Sequence, residues 1–331
     1  MKRIELNAYG VPEDVAVCAE VPDVGAPEVG EVVFDVIAFP INPADISFCR
    51  GGYRIKPPFP ATPGAECVGR VSAAGAGVTH VKPGDLVINL QRENWAQRRR
   101  VKGADAIRVP TGVDLRQAAM LRINPPTALL LLTDIVDVPA GGGWVIQNVA
   151  NSAVGRLVIS IAKRRGLRTV NVVRRADVFD ELKALGADVL LLDGPDLAAR
   201  VKEATGGANI PLGLDAVSGA ATARIAACVS DGGTVCTYGA MSGEGPQAMT
   251  VADLIYRGVT QTGFMLGRFL AKRSAAEIEK IYAELAAGLM DGTFSAPVDH
   301  VYAIEDIRAA LIRAQEGGRD GKVLVAPNGP I

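Results

Sequence analysis

Histidine is nearly absent, at two of 331 residues, His80 and His300. That leaves little material for a His-based metal centre, and both read as solvated polar side chains. The five cysteines, Cys18, Cys49, Cys67, Cys228 and Cys236, are odd in number and widely spaced, with no C-x-x-C pair. Neither a disulfide framework nor a structural zinc site is indicated. Charge of one sign is also lacking: 35 Lys and Arg face 36 Asp and Glu, a formal net charge of −1. This balance argues against nucleic acid or an anionic membrane as the main partner. Apolar runs such as Ala128 to Leu132 fall far short of the ~20 residues that span a bilayer. The opening Met1-Lys2-Arg3-Ile4-Glu5-Leu6 has neither the apolar core of a signal peptide nor an Arg-rich, acid-poor leader, so a cytoplasmic location is expected. What is present is core material: 49% hydrophobic and 21% charged residues. That suits a globular chain, and roughly 150 residues per domain suggests two domains.

The texture changes along the chain. Up to about residue 121, short Val-rich runs such as Glu31 to Ile37 and Cys67 to Val71 are cut by Pro and Gly, which predicts a small, mostly β domain. Over 122–285 the pattern becomes strand, helix, strand. Trp144 to Asn148 is apolar and strand-like. Val154, Leu157, Val158, Ile161 and Ala162 then mark one face of a helix that ends at Gly166. Thr169 to Val173, Leu212 to Val217 and Thr234 to Tyr238 are further strands, with a helix from about Ala220 to Val229. Such alternation implies a parallel sheet covered on both faces. Over 286–331 the pattern is mixed again. A helix near 275–289 is expected to end at Gly288, followed by an extended stretch from Phe294 to Val301. A helix over Ile304 to Gln315 and a last strand at Gly321 to Val325 complete the chain.

The turn Asn148-Val149-Ala150-Asn151-Ser152-Ala153-Val154-Gly155 lies between a strand and a helix, where a dinucleotide pyrophosphate would sit. Against G-x-G-x-x-G it keeps only the third glycine, Gly155, which permits close helix–sheet packing. Ser152 carries a hydroxyl that can donate to a phosphate. An ordinary strand-to-helix turn is the alternative. About 20 residues further on, where an NAD site places an acid, this chain has Arg174-Arg175. A guanidinium there suits a 2′-phosphate, which predicts NADPH, unless the pair is merely a solvated basic loop.

Asn42-Pro43-Ala44-Asp45, Gly51-Gly52-Tyr53, Thr62 to Gly69, Lys82-Pro83-Gly84-Asp85 and Gly321-Lys322-Val323-Leu324 together resemble the medium-chain dehydrogenase/reductase superfamily over essentially the whole chain. The resemblance implies an α/β protein: a GroES-like β-rich catalytic domain (1–121 and 286–331) and a doubly wound Rossmann domain (122–285). Zinc members have Gly-His-Glu where this chain has Gly64-Ala65-Glu66, and they carry a four-Cys lobe that is missing here, so no catalytic zinc is expected. Asn124-Pro125-Pro126-Thr127, the Asn151-Ser152-Ala153-Val154-Gly155 turn and Asn171 to Arg174 resemble the trans-2-enoyl-thioester reductase branch. That resemblance implies Tyr53 as catalytic residue. It implies cofactor contacts from Asn42, Asn124, Thr127, Asn151, Ser152, Ala153, Val154, Arg174, Arg175, Tyr238, Gly239, Ala240, Met241, Phe264, Met265, Leu266 and Lys322. The family usually has Gly at Ala153 and often an aromatic at Met265, and it often has Arg-x-Arg where Arg174-Arg175-Ala176 stands.

Reducing an enoyl thioester places negative charge on the thioester oxygen as hydride reaches Cβ, and Cα then needs a proton. A donor aimed at that oxygen in a water-poor site is required. A phenol, with a reference pKa near 10, is protonated at neutral pH and can serve. The alternative for Tyr53 is a surface ring packed on Pro57 and Pro58. Trp95 is a candidate for the acyl pocket or for the core. Arg98, Arg99, Arg100 and Lys102 could meet a CoA or acyl-carrier phosphate, or form a solvated edge strand. Cys67 reads as a small buried hydrophobe. Two other readings stand beside the enoyl reductase: an NADPH:quinone oxidoreductase on the same scaffold and a non-catalytic NADPH-binding protein. A small-molecule acyl thioester, possibly carried on acyl carrier protein, is the expected partner, and the resemblance implies a homodimer.

Overall fold

The computed structural model describes residues 1–244 and 249–331. The chain forms two compact units, Met1–Ile123 with Ala275–Ile331, and Asn124–Ser274.

The first unit is built on the ten-residue strand Glu31–Pro40, whose alternating Val and Phe side chains fill the interior. It pairs antiparallel with Val68–Ala74, with Arg98–Lys102 and with the C-terminal strand Lys322–Ala326. Strand Val298–Ala303 runs parallel to that last strand. Residues more than 280 positions apart thus share one sheet, and the returning tail completes the first core with Val323 and Val325. The helix Ala275–Met290 also belongs here. Its Tyr282 hydroxyl donates to the Arg122 carbonyl at 2.9 Å. The return to the first unit therefore comes at Ala275 and not at 286. Gly288 does not end this helix. It lies inside it, because a Cβ there would come within 2.1 Å of the Phe294 ring. The turn follows at Gly292, with φ at 76°.

In the second unit the described residues form a six-stranded, all-parallel sheet. Its order is Val189–Leu192, Arg168–Val173, Trp144–Asn148, Leu212–Asp215, Thr234–Thr237 and Thr260–Gly263. Counted along the chain this is 3-2-1-4-5-6, the doubly wound order that reverses direction beside the first strand. The helix Ala153–Arg164 forms as the apolar stripe predicts, burying Leu157, Val158, Ile161 and Ala162, and Gly166 follows it with φ at 70°. The first strand's neighbours, Leu212–Asp215 and Arg168–Val173, are buried almost throughout, as strands inside a parallel sheet covered on both faces must be. Strand Val189–Leu192 has no counterpart in the sequence reading: four half-exposed residues at a sheet edge carry too little pattern. No helix among the described residues is long and apolar enough to cross a membrane.

Candidate active site

In the first unit the site is organised by the short helix Pro43–Cys49. Asn42 caps it, and the Asp45 carboxylate accepts from the Asn42 backbone N–H at 3.0 Å, closing half of a capping box. Pro43 suits the first helical position because its missing N–H would have no partner there. At the other end Gly51 donates to the Phe48 carbonyl and Gly52 to Ser47. Gly51 has φ at 73°, and a Cβ on it would press into the Tyr9 ring at 2.8 Å. This tight exit leaves Tyr53 half-buried against the core, a few residues from the helix end.

Behind the helix lies a buried polar cluster. The Asn42 amide donates to Glu66 Oε1 at 2.8 Å, and its oxygen accepts from Lys322 Nζ. Glu66 Oε2 accepts from the backbone N–H of Ile123, the last residue before the second unit begins. Asp45 Oδ1 accepts from Ala65 N at 2.9 Å. Asn42 and Lys322 are therefore joined to each other within this unit. Burial pushes the Lys322 ammonium below its usual range, opposed by the Glu66 and Asp45 carboxylates. Burial pushes Asp45 upward, with Arg92 opposing. It pushes Glu66 from 4.5 to about 7, against the Asn42 amide and Lys322.

A carboxyl that releases its proton near 4.5 when unfolded and near 7 when folded binds more protons in the native state across that interval. Stability then falls as pH rises through the window. Glu66→Gln is expected to remove about 2 kcal/mol of that loss between pH 5 and 8, read from urea unfolding at the two pH values. Equal pH dependence in both proteins would contradict a retained proton.

In the second unit the turn Asn148 to Gly155 joins strand Trp144–Asn148 to helix Ala153–Arg164. Val149 takes φ at 49°. Ser152 caps the helix Ala153–Arg164, its Oγ accepting from Gly155 N at 3.1 Å. A Cβ on Gly155 would lie 2.6 Å from the Ala150 carbonyl oxygen, so only glycine permits this approach. The N–H groups of Ala153 and Val154 open the helix, where an intrahelical acceptor is lacking. Arg174 follows strand Arg168–Val173, exposed and without a partner among the described residues, and Arg175 reaches Asp177 only at 3.5 Å. Asn124 and Thr127 are buried at the start of helix Asn124–Thr133, and the Asn124 amide nitrogen has no partner among the described residues. Tyr238 to Met241 leave strand Thr234–Thr237, and a Cβ on Gly239 would meet the Ala216 oxygen at 2.6 Å. The Tyr238 hydroxyl is enclosed with no hydrogen-bond partner among the described residues. Phe264 is buried against Phe269, whereas Met241 and Met265 are exposed.

Trp95 is a correction. It is fully enclosed and stacked on Phe39, with ring centroids 5.6 Å apart, so it fills the core and lines no acyl pocket. The arginine strand is committed to acids: Arg98 to Asp35 and Asp23, Arg99 to Glu93, and Arg100 to Glu31. Cys67 is buried beside Asn94, and burial pushes its thiol up to about 12, away from nucleophilic use.

Residues 28–112 match the alcohol dehydrogenase GroES-like domain, and residues 153–286 match the zinc-binding dehydrogenase family. The bovine mitochondrial enoyl-acyl-carrier-protein reductase is 33% identical over 321 residues, which cover 93% of this chain and 85% of that protein. The chain belongs to the enoyl-acyl-carrier-protein reductase family. Among solved structures it resembles the complex of Etr1p with NADP and crotonyl-CoA (TM-score 0.87, 25% identity, 98% of this chain and 99% of that one). It also resembles a putative NADPH:quinone reductase from Bacillus thuringiensis, with TM-score 0.91, 25% identity and 98% of each chain covered. Although one matched family is named for zinc, Ala65 stands in the Gly64-Ala65-Glu66 segment. Among the described residues, no group of three His, Cys, Asp or Glu side chains is placed to hold a metal.

Within this reductase family the sequence reading passed over a second buried network. The Asn148 amide donates to Asp215 at 2.7 Å and accepts from Ala216 N, while Thr222 and the backbone of Val217 and Ser218 also donate to Asp215. It ties two adjacent strands together at their carboxyl ends, where open α/β sheets bind ligands. Polar residues ending two apolar runs were its only signal. Arg92 was also missed, since nothing near it in the sequence points to Tyr53.

Proposed function

We propose that the protein reduces the 2,3 double bond of trans-2-enoyl thioesters with NADPH. The observation that carries this reading is Tyr53, a phenol set at a fixed helix exit in a chain whose relatives are enoyl reductases. The second unit fits a dinucleotide. The Gly155 and Gly239 turns leave no room for a Cβ, and among the described residues the Asn124 nitrogen, the Tyr238 hydroxyl and the Arg174 guanidinium have no partner. Asn151 to Val154 would hold the pyrophosphate at the helix N-terminus, and Arg174 with Arg175 the 2′-phosphate. Tyr238, Gly239, Ala240, Met241, Phe264, Met265 and Leu266 would line the rest of the cofactor site. When bound, NADPH supplies hydride to Cβ. Tyr53 donates to the thioester oxygen while that oxygen becomes negative, and it delivers a proton toward Cα. Loss of that donor costs roughly 10²-fold or more, the usual scale for a general acid.

Quinone reduction is the competing reading, favoured by the likeness to the Bacillus thuringiensis protein. NADPH oxidation with short and long enoyl-CoAs beside a quinone separates the two. Preference for the quinone, with no turnover of any enoyl-CoA, would overturn the enoyl reductase reading. NADPH binding without turnover of either class would favour the non-catalytic one.

A homodimer forms through the edge strand Thr260–Gly263. All four of its residues are exposed, and among the described residues one long side of the strand lacks a neighbour in the sheet. The segment just before it exposes Val251, Leu254, Ile255 and Tyr256, an apolar group that a second copy would cover. Thr260 and Phe264 donate inward to the Gly233 and Thr237 carbonyls, so alternation turns the Gln261 N–H to the free side, and Gln261→Pro is expected to shift the mass measured by light scattering from dimer to monomer. An unchanged dimer mass would rule this edge out.

A further inference from the structure

Arg92 lies on the loop that follows strand Leu86–Asn89, and its neighbours hold that loop firmly. The Asn94 side chain donates to the Gln91 carbonyl at 2.8 Å and accepts from Asn89 at 2.7 Å. Arg99 donates to the Arg92 carbonyl at 3.0 Å, and Glu93 adopts φ at 68°. From this base the Arg92 guanidinium spans the two ends of helix Pro43–Cys49. At one end its Nη2 stands 3.8 Å from Asp45 Oδ1. At the other its Cζ lies 4.6 Å from the centre of the Tyr53 ring, and its Nη1 donates to the Tyr53 hydroxyl oxygen at 3.4 Å. It also lies 5.7 Å from the Phe48 ring. Nη2 is buried and makes no hydrogen bond among the described residues, so the Asp45 contact alone does not fully commit the group.

We propose that Arg92 is the positioning residue for Tyr53: it holds the phenol ring and directs the hydroxyl hydrogen away from the protein, toward the substrate oxygen. The argument is one of donors and acceptors. A guanidinium has five N–H donors and no acceptor. Beside the Tyr53 oxygen it can only donate, and so it occupies a lone pair and never the phenolic hydrogen. That hydrogen is left for the thioester. The planar cation over the ring restrains the ring's swing as well. Asp45 sets the other end of the guanidinium, and its own place is fixed by the Asn42 and Ala65 N–H groups.

This inference rests on the enoyl reductase reading with Tyr53 as donor, and a kinetic double-mutant cycle separates the two. The full-length protein, Arg92→Leu, Arg92→Lys, Tyr53→Phe and Tyr53→Phe/Arg92→Leu are compared with NADPH and crotonyl-CoA. Arg92→Leu is expected to lower kcat about tenfold with the KM for NADPH unchanged, and Arg92→Lys to restore part of the loss. In the Tyr53→Phe background, Arg92→Leu is expected to cost about twofold or less, because the group it acts through is gone. Equal losses in both backgrounds, or no loss in either, would overturn the role of Arg92 while leaving Tyr53 as donor. Undiminished turnover in Tyr53→Phe would overturn the donor reading and this inference with it. Thermal midpoints of all variants, read alongside, separate a lost fold from a lost position.

Discussion

Tyr53→Phe is expected to cut the kcat for crotonyl-CoA by about 10²-fold or more while binding of NADPH stays within a few-fold. The change removes one oxygen and keeps the ring. The packing of Tyr53 against the first core and the stack with Arg92 survive it. What is lost is the hydroxyl, the proposed donor to the developing enolate. In the second unit the residues assigned to the nucleotide are untouched, so the effect should appear in kcat and not in cofactor affinity. A panel of crotonyl-CoA and quinone rates reads this directly. Turnover of crotonyl-CoA equal to that of the unaltered protein would take Tyr53 out of the mechanism.

Replacing Arg174 and Arg175 together by Ala is expected to weaken NADPH by about 10²-fold and NADH by only a few-fold. A charge-assisted contact contributes about 1.5–3 kcal/mol, and two of them act on a phosphate that NADH lacks. The geometry favours a clean experiment. Both side chains are exposed, Arg174 has no partner among the described residues, and the Arg175–Asp177 contact is long and solvated. Little folding stability is at risk. Fluorescence titration of the two nucleotides measures the ratio, and equal losses for NADPH and NADH would contradict a 2′-phosphate grip. Arg174→Ala alone separates the contributions, since Arg175 is the residue already drawn toward a carboxylate.

The helix Ala153–Arg164 shows how much a local pattern can say. Its stripe, its Gly155 and its closing Gly166 are all determined by neighbours within a turn or two, and they were legible as written. Gly288 marks the opposite case. A glycine near a helix end reads as a stop, yet here the reason for it is a ring six residues away that needs the space. Trp95 was undecided between pocket and core for a similar reason: an indole suits both, and only the Phe39 stack chooses. The arginine strand read either as a phosphate contact or as a solvated edge, because acids that neutralise it, Asp23, Glu31 and Asp35, come from an earlier part of the chain.

The sequence by itself determined the class of protein, the alternation that makes a doubly wound sheet, and the strand-to-helix turn that closes on Gly155. Each of these is short-range, governed by side-chain period, turn chemistry and a helix end. Tertiary structure alone decided which polar groups meet: Lys322 with Asn42 across 280 positions, Asn148 with Asp215, and Arg92 with Tyr53. Those pairs are set by sheet order and by the return of the tail to the first sheet. A buried charge or amide must find its partner wherever the fold places one, and nothing in the neighbouring residues announces where that will be.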